Sequence, residues 1–204
     1  MLGGKLSLTK AWSDETNVYA SIGRGYKAGG FNLGTGFSDE IYADALIYNP
    51  EYLWNYEVGI NRQFSGADTN LDAVIFYSDR KDQQVMASTQ VDPNDPNTFT
   101  FLTQNAASGK NYGMELSIKS QPTDALNVYA SIGLLKTKVN YLDLTNAQNG
   151  RAQAHAPERT FAIGMRWYPL ESLYLGVDLN GKSDFYYSDS HDNQSSSYTL
   201  ANLV

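Results

Sequence analysis

The side chains best suited to acid–base or metal chemistry are two histidines, His155 and His191, and both fall in expected loops. No pairing of metal-ligand spacing is visible around either one, and the chain has no cysteine. The run Asp92-Pro93-Asn94-Asp95-Pro96-Asn97 lacks the glycine and terminal glutamate of a calcium loop. Its proline and Asx residues are typical of turns. The sequence therefore predicts no metal site and no cofactor.

Motifs for catalysis are also missing. The glycines at 23, 25, 29 and 30 do not have dinucleotide-binding spacing, and no nucleophile elbow, HExxH or Walker motif occurs. We expect no enzyme, although scattered Asp, Ser and His side chains leave a barrel enzyme as an alternative. Binding chemistry remains, because aromatic side chains stack on ligands and cations contact anionic groups. The candidate ligand-binding residues are Arg24, Tyr26, Lys27, Phe31, Asn32, Arg151, Tyr186, Tyr187 and His191. For Tyr186, Tyr187 and His191, an aromatic girdle at a membrane interface is the alternative.

The composition favours β-structure and argues against nucleic-acid binding. Only 18% of residues are charged, 13% are aromatic, and 15 are tyrosine. Amphipathic tyrosines suit strand surfaces and membrane interfaces, and they also suit a soluble β-sandwich. The formal net charge of −7 disfavours phosphate-backbone binding, which needs clustered Lys and Arg.

Alternation of apolar and polar residues is the dominant pattern. In the stretch 52–62, Tyr52, Trp54, Tyr56 and Val58 share one parity, while the other parity is largely polar. A period of two places these sets on opposite faces of a strand. No segment approaches the roughly 20 apolar residues of a membrane helix. A membrane-spanning form of this chain must therefore be a barrel.

This alternation predicts about nine antiparallel strands, separated by connections that alternate between short and long. The strands are expected near 5–11, 17–28, 51–64, 69–87, 108–120, 126–139, 158–168, 173–187 and 197–204. The long connections are expected near 29–50, 88–107, 140–157 and 188–196. Outer-membrane barrels have short periplasmic turns and long extracellular loops, an order that a sandwich has no reason to keep.

Two local features need a structural explanation. Arg24 shares its parity with the apolar Val18, Ala20 and Ile22. Either it snorkels above the hydrocarbon, or a glycine bulge near Gly23 resets the register, and the bulge is slightly favoured. In addition, residues 17–23 and 127–133 share the sequence Asn-Val-Tyr-Ala-Ser-Ile-Gly, which implies equivalent environments.

Five segments, in order along the chain, resemble TonB-dependent outer-membrane receptors of the iron-complex type. The resemblance covers roughly residues 17–168 and is carried by 24–32 (Arg-Gly-Tyr-Lys-Ala-Gly-Gly-Phe-Asn), 48–59, 71–82, 111–116 and 156–160. It implies a larger barrel of roughly 22 strands with an N-terminal plug domain. The odd strand count and an end in mid-strand at Leu203-Val204 favour a partial barrel domain over 1–204. Signal peptide, plug and TonB box are not recognised in it.

The expected function is that of an outer-membrane receptor. The resemblance implies TonB-dependent uptake of a ferric siderophore or a similar scarce nutrient, with the lipid bilayer as surroundings and TonB as partner through the plug. A passive porin or barrel enzyme is the first alternative, and a soluble β-sandwich binding module is the second. Ligand contacts are expected in the loops, at the nine candidate residues and in the 88–107 segment.

Overall fold

The computed structural model describes residues 2–32, 46–66, 68–90, 94–95, 97, 99–142, 148–189 and 191–204. Over these ranges the chain is all-β. The nine long strands are β1 (Gly4–Ser13), β2 (Thr16–Lys27), β5 (Glu51–Phe64), β6 (Thr69–Gln90), β7 (Phe99–Thr123), β8 (Leu126–Tyr141), β9 (Arg159–Leu170), β10 (Leu173–Lys182) and β13 (Tyr198–Leu203). Two short pairs lie in connections: β3 (Gly30–Phe31) with β4 (Ile47–Tyr48), and β11 (Phe185–Tyr186) with β12 (Gln194–Ser195). Among the described residues, no helix is long and apolar enough to cross a bilayer.

The nine long strands form one antiparallel meander. Each pairs with the next long strand along the chain, in the order β1-β2-β5-β6-β7-β8-β9-β10-β13. The predicted all-β antiparallel fold and the predicted strand count are confirmed. A meander of this kind needs only local hairpin connections, which the short turns supply.

One face of the sheet, here called the outer face, is apolar but not covered by a second layer. Val58 and Ile75, paired across β5 and β6, are 57% and 67% exposed, and Leu8 on β1 is 75% exposed. A sandwich would bury these side chains against another sheet. An apolar surface of this extent indicates contact with lipid or with another protein.

Aromatic side chains border the outer face at both ends. A tyrosine row crosses three strands at the loop end, since Tyr56, Tyr77 and Tyr112 are direct cross-strand partners. Trp12, Phe64 and Trp167 lie near the turn end. Two aromatic girdles around an apolar band are typical of transmembrane barrels.

The opposite, inner face carries a polar network. Glu57 accepts hydrogen bonds from Ser21 (3.2 Å) and Asn55 (2.8 Å) and pairs with Lys5 at 3.5 Å. Asn55 in turn accepts a bond of 2.7 Å from Ser78. The network joins β1, β2, β5 and β6 through satisfied polar groups, as expected for a face lining an aqueous interior.

At the turn end, neighbouring hairpins are tied to one another. The Glu15 carboxylate, in the β1–β2 turn, accepts hydrogen bonds from the Ser65 amide (3.2 Å) and the Ser65 hydroxyl in the β5–β6 turn. These bonds favour the charged form and lower the pKa of Glu15. The turn that they fix places β2 and β5 in register from the first residue pair.

The predicted loop over 88–107 is wrong in its second half. β7 begins at Phe99, so residues 99–107 extend the β6–β7 hairpin beyond its neighbours. Register shifts lie between Arg80 and Gln84, where Asp82 has a positive φ of 54°. A bulge there breaks the alternation of the two faces, so a period of two no longer predicts the strand beyond it. Half of the Asp92–Asn97 run lies outside the described residues, but Asp95 accepts a hydrogen bond from the Asn97 amide, as in an Asx turn.

The favoured bulge at Gly23 is also wrong. β2 pairs with β1 and with β5 without a register shift through Gly23 to Gly25. Arg24 therefore stays on the outer face, opposite Trp54. Its guanidinium lies 4.2 Å from the centre of the Tyr52 ring and 5.7 Å from that of Trp54. Cation–π contacts at the aromatic girdle support the snorkelling alternative.

The repeated Asn-Val-Tyr-Ala-Ser-Ile-Gly sequence places a tyrosine over a glycine in both copies. Tyr19 covers Gly59 of β5, and Tyr129 covers Gly164 of β9. The two tyrosines differ in anchoring, because the Tyr129 hydroxyl donates a 2.7 Å hydrogen bond to Asp178, which also pairs with Arg166 at 3.3 Å. The equivalent environments predicted from the sequence are thus found on the inner face.

This difference predicts unequal costs for the same substitution. In Gly164→Ala the new Cβ displaces the Tyr129 ring and breaks its bond to Asp178, whereas in Gly59→Ala the Tyr19 ring can move aside. We expect Gly164→Ala to lower the free energy of unfolding by about 2 kcal/mol and Gly59→Ala by about 1 kcal/mol or less. Urea unfolding in detergent micelles measures both. Equal costs would show that the Asp178 bond does not hold the ring.

Candidate ligand-binding site at the loop end of the sheet

Two loop segments at the loop end pack together as one unit, here called the clasp. They are residues 148–158, after β8, and the described residues of 183–195 (183–189 and 191–195), which contain β11 and β12. Val139 on β8 bonds to Arg151 and Gly150 of the first segment (2.9 and 2.8 Å). The His155 amide then donates to the Tyr186 carbonyl of the second at 2.8 Å. The first segment is therefore bonded to β8 and the second segment to the first, beyond the loop end of β9. These backbone bonds give both segments a defined conformation.

The Arg151 side chain holds the two segments together. Its Nη1 donates to the His191 carbonyl (2.8 Å) and to the Asp192 carboxylate (2.6 Å), and its Nη2 donates to the Ser188 carbonyl (2.7 Å). The guanidinium also lies 4.2 Å from the centre of the Tyr186 ring. The side chain is only 9% exposed. The planar, multidentate donor set of arginine suits this arrangement, and lysine has no equivalent.

Tyr141, at the end of β8, supports the clasp from beneath. Its hydroxyl donates to the Asp189 carbonyl at 3.3 Å, while the Asp189 carboxylate accepts a 3.0 Å bond from the Ala154 amide. Burial raises the pKa of Tyr141, and the nearby Asp189 charge adds to the effect. The hydroxyl therefore stays neutral and available as a donor at physiological pH.

Unpaired polar atoms lie beside the clasp. Within the described part of the chain, Gln83 Oε1, Gln153 Nε2 and Arg151 Nε are buried without a hydrogen-bond partner. Gln83 and Gln153 both lie against Gly109: a Cβ built there would be 3.3 and 2.7 Å from these two amide atoms. Buried polar atoms of this kind are candidates for contacts to a bound molecule. Sequence reasoning missed both glutamines, because neither stands in a motif.

A second polar cluster fixes the first long connection to the β6–β7 extension. The Asn32 side chain donates to the Thr103 carbonyl and accepts from the Thr103 amide, both at 2.8 Å. The Asn105 side chain makes the same kind of pair with Asn49. It accepts a hydrogen bond from the Asn49 amide (2.6 Å) and donates one to the Asn49 carbonyl (2.9 Å). Glu51 pairs with Arg80 at 3.3 Å. The two asparagine side chains join chain segments more than 50 residues apart.

The nine candidate residues therefore fall into four places. Arg24 and Tyr26 lie on the outer face, while Lys27, opposite Glu51, points to the inner side. Phe31 is exposed at the tip of β3, and Asn32 is buried in its bonds to Thr103. The clasp brings together the remaining four: Arg151, Tyr186, Tyr187 and His191. Tyr187 is half exposed and meets the Phe185 ring edge-on at 5.8 Å. Among the described residues, no group of three metal-binding side chains converges.

Asn32 offers a test of the second cluster. Asn32→Ala removes both bonds to the Thr103 backbone and leaves that amide and carbonyl without these partners in a partly buried position. We expect the free energy of local opening to fall by about 2 kcal/mol, with faster hydrogen exchange of the Thr103 amide. Asn180→Ala, at an exposed position on β10, is the comparison substitution. Unchanged exchange at Thr103 in Asn32→Ala would contradict the role given to these bonds.

Known proteins with the same architecture are transport receptors. The ferric yersiniabactin uptake receptor FyuA from Yersinia pestis superposes with a TM-score of 0.77 over 98% of this chain and 29% of that protein, at 19% identity. The siderophore receptor PiuA from Acinetobacter baumannii gives 0.73 over 98% of this chain and 28% of that one, at 20% identity. At such identities the superpositions show the fold.

Sequence relatives are of the same kind. The probable TonB-dependent siderophore receptor PiuA of Acinetobacter baumannii is 26% identical over 141 residues, which is 69% of this chain and 17% of that protein. The pesticin receptor of Yersinia enterocolitica is 34% identical over 82 residues, covering 40% of this chain and 11% of that protein. The chain thus spans less than a fifth of these relatives by aligned sequence. The family model described as TonB dependent receptor-like, beta-barrel, matches residues 4–204. The chain belongs to the TonB-dependent receptor family and forms part of its β-barrel.

Proposed function

We propose that this chain is part of the barrel wall of an outer-membrane receptor that takes up a ferric siderophore, or a similar scarce nutrient, in a TonB-dependent manner. The observation that carries the proposal is the family match over nearly the whole chain, joined to a sheet with a lipid-type face and a polar face. The plug domain and the contact to TonB belong to the rest of the receptor in this proposal.

In this proposal the two ends of the sheet lie on opposite sides of the membrane. Short turns lie at one end, and the clasp and the β6–β7 extension lie at the other. Short turns face the periplasm and long loops face the exterior in this class of barrel. In the proposal, the ligand therefore meets the clasp first, on its way to the inner face.

Within the clasp, the exposed aromatic Tyr187 is proposed to contact the ligand, and the buried Arg151 to hold the loops that present it. A half-exposed ring braced edge-on by Phe185 is a rigid, low-entropy surface for stacking. The unpaired amide atoms of Gln83 and Gln153 are proposed to add polar contacts beside it. Lys27 and Phe31 are retained as proposed contacts of the first long connection.

The function is tested by uptake of a radiolabelled ferric siderophore into cells that carry the complete receptor, with and without TonB. The proposal requires saturable uptake that disappears without TonB. Uptake that neither saturates nor depends on TonB would identify a passive porin instead. A panel of catecholate, hydroxamate and phenolate complexes identifies the class of ligand.

The contribution of Tyr187 is tested with a matched pair of substitutions. Tyr187→Ala removes the exposed ring from the clasp. Tyr174→Ala removes a ring of similar exposure, also packed on another aromatic, at the turn end of the sheet. We expect Tyr187→Ala to raise the ligand Kd about tenfold and Tyr174→Ala to leave it unchanged, because loss of one aromatic contact costs about 1 kcal/mol or more. Equal ligand affinity in both variants would remove Tyr187 from the site.

A further inference from the structure

Basic side chains stand on the outer face beside the tyrosine row, towards the loop end. This cationic rim consists of Lys110, Lys136, Lys138 and Arg159, and all four are exposed. Lys110 and Lys138 are direct cross-strand partners on β7 and β8, and Lys136 is opposite Tyr112. Arg159 is opposite Leu134 on the next strand pair. The rim is unexpected in a chain of net charge −7.

An apolar groove lies against the rim. It has a volume of about 490 Å³, and its lining includes Ile75, Tyr112, Met114 and Leu134, with Lys136 and Arg159 beside them. The four apolar or aromatic residues have outer-face parity in the register of β6, β7 and β8. The apolar groove and the basic rim beside it match the two parts of an anionic lipid, its acyl chain and its charged headgroup.

The positive charge of the rim is only partly neutralised within the described part of the chain. Lys136 pairs with Glu158 at 2.7 Å, and Glu158 is itself half exposed. Asp79, opposite Lys110 in the register, lies 4.0 Å from Lys81 instead. No carboxylate in the described residues lies within ion-pair distance of Lys110, Lys138 or Arg159. Two adjacent lysines without a counterion repel each other, and a bound anion would relieve this repulsion.

We propose that the cationic rim binds the phosphorylated headgroup of an outer-leaflet lipid, whose acyl chain occupies the groove lined by Ile75, Met114 and Leu134. Lys and Arg both pair strongly with phosphate, and each one adds to the attraction of an anionic membrane surface. A lipid is chosen over free phosphate because only a lipid fills the apolar groove and lies on this face of the sheet. The inference rests on the proposed function for the orientation of the loop end toward the exterior.

The test is native mass spectrometry of the complete receptor in detergent micelles, titrated with dioleoyl phosphatidic acid. Phosphatidylcholine with the same acyl chains is the headgroup control, and inorganic phosphate is the control for a free anion. We expect selective retention of phosphatidic acid. Removing two basic groups in K136Q/R159Q should weaken that retention about tenfold. The double variant K110Q/K138Q, which breaks no ion pair among the residues that the structure describes, should weaken it by a similar factor.

The matched control is K119Q/K182Q, which removes two exposed positive charges from the inner face. It should leave the retention unchanged. The inference is overturned if both rim variants behave like this control, if the two lipids bind equally, or if inorganic phosphate binds as tightly as the lipid. Ferric-siderophore binding, measured on the same preparations, separates the two proposals. Absence of siderophore binding with selective lipid retention intact counts against the proposed function alone. Siderophore binding without selective lipid retention counts against the lipid site alone.

Discussion

Arg151→Ala is expected to release the clasp and to raise the ligand Kd more than tenfold. The substitution deletes three charge-assisted hydrogen bonds and leaves the carbonyls of Ser188 and His191 without their donor. Because the arginine is almost fully buried, water does not replace these bonds while the loops stay closed. Asp192 is 70% exposed, so its charge contributes less than its short distance suggests. We expect a loss of about 3 kcal/mol in the stability of the closed clasp.

Hydrogen exchange in the 183–195 segment measures this loss directly. A change of 3 kcal/mol corresponds to about 100-fold faster exchange of the Tyr187 amide, which bonds to the Asn193 carbonyl in the closed form. Arg151→Lys retains the charge without the fork of donors and should give an intermediate rate. The control is Arg62→Ala, which removes an arginine stacked on Phe64 at the turn end. Exchange in Arg151→Ala equal to that in Arg62→Ala would show that other contacts hold the clasp.

The strands were predictable where one face is apolar over a long, unbroken register. Residues 51–64 alternate with only two exceptions, Leu53 and Arg62, and β5 has those bounds because both of its neighbours pair with it without a shift. The prediction failed at 99–107, because the bulge at Asp82 shifts the register of β6 against β7. Beyond the girdle, no apolar solvent imposes the alternation. The strand there is held by backbone bonds and by side chains such as Asn105, which a period-two pattern does not detect.

The site was less predictable than the fold, for a physical reason. Arg151 was recognised as a cation in a loop, and its expected role was contact with an anionic ligand. In the structure its donors bond to groups 37 to 41 residues away, and no periodicity links those positions in the sequence. Arg24 illustrates the opposite case. Its parity with Val18 and Ile22 was sufficient to place it on the outer face, and the glycine bulge favoured from the sequence was the wrong addition, because the register of β2 is continuous there.

Gly113→Ala is expected to destabilise the barrel wall more than Gly164→Ala or Gly59→Ala. A Cβ at Gly113 would collide with the backbone carbonyl oxygen of Leu134 on β8 and would lie 3.1 Å from the Phe76 ring. A ring can rotate away, but a carbonyl within a ladder moves only if β7 and β8 separate. Overpacking of this kind costs about 3 kcal/mol in the free energy of unfolding. Urea titration of the complete receptor in micelles, followed by heat-modifiable gel mobility, measures the loss.

Two further substitutions identify the origin of that loss. Gly25→Ala is the matched control, because a Cβ at Gly25 has no heavy atom within 4 Å. It should be neutral or stabilising by about 0.5 kcal/mol, since alanine restricts the unfolded chain. The double variant Phe76→Leu/Gly113→Ala removes the ring but keeps the collision with the carbonyl, so it should recover little of the lost stability. Full recovery in the double variant would show that the Phe76 ring, and not the Leu134 carbonyl, causes the loss of stability. In that case the spacing of β7 and β8 would be set by inner-face packing and not by the close approach of their backbones.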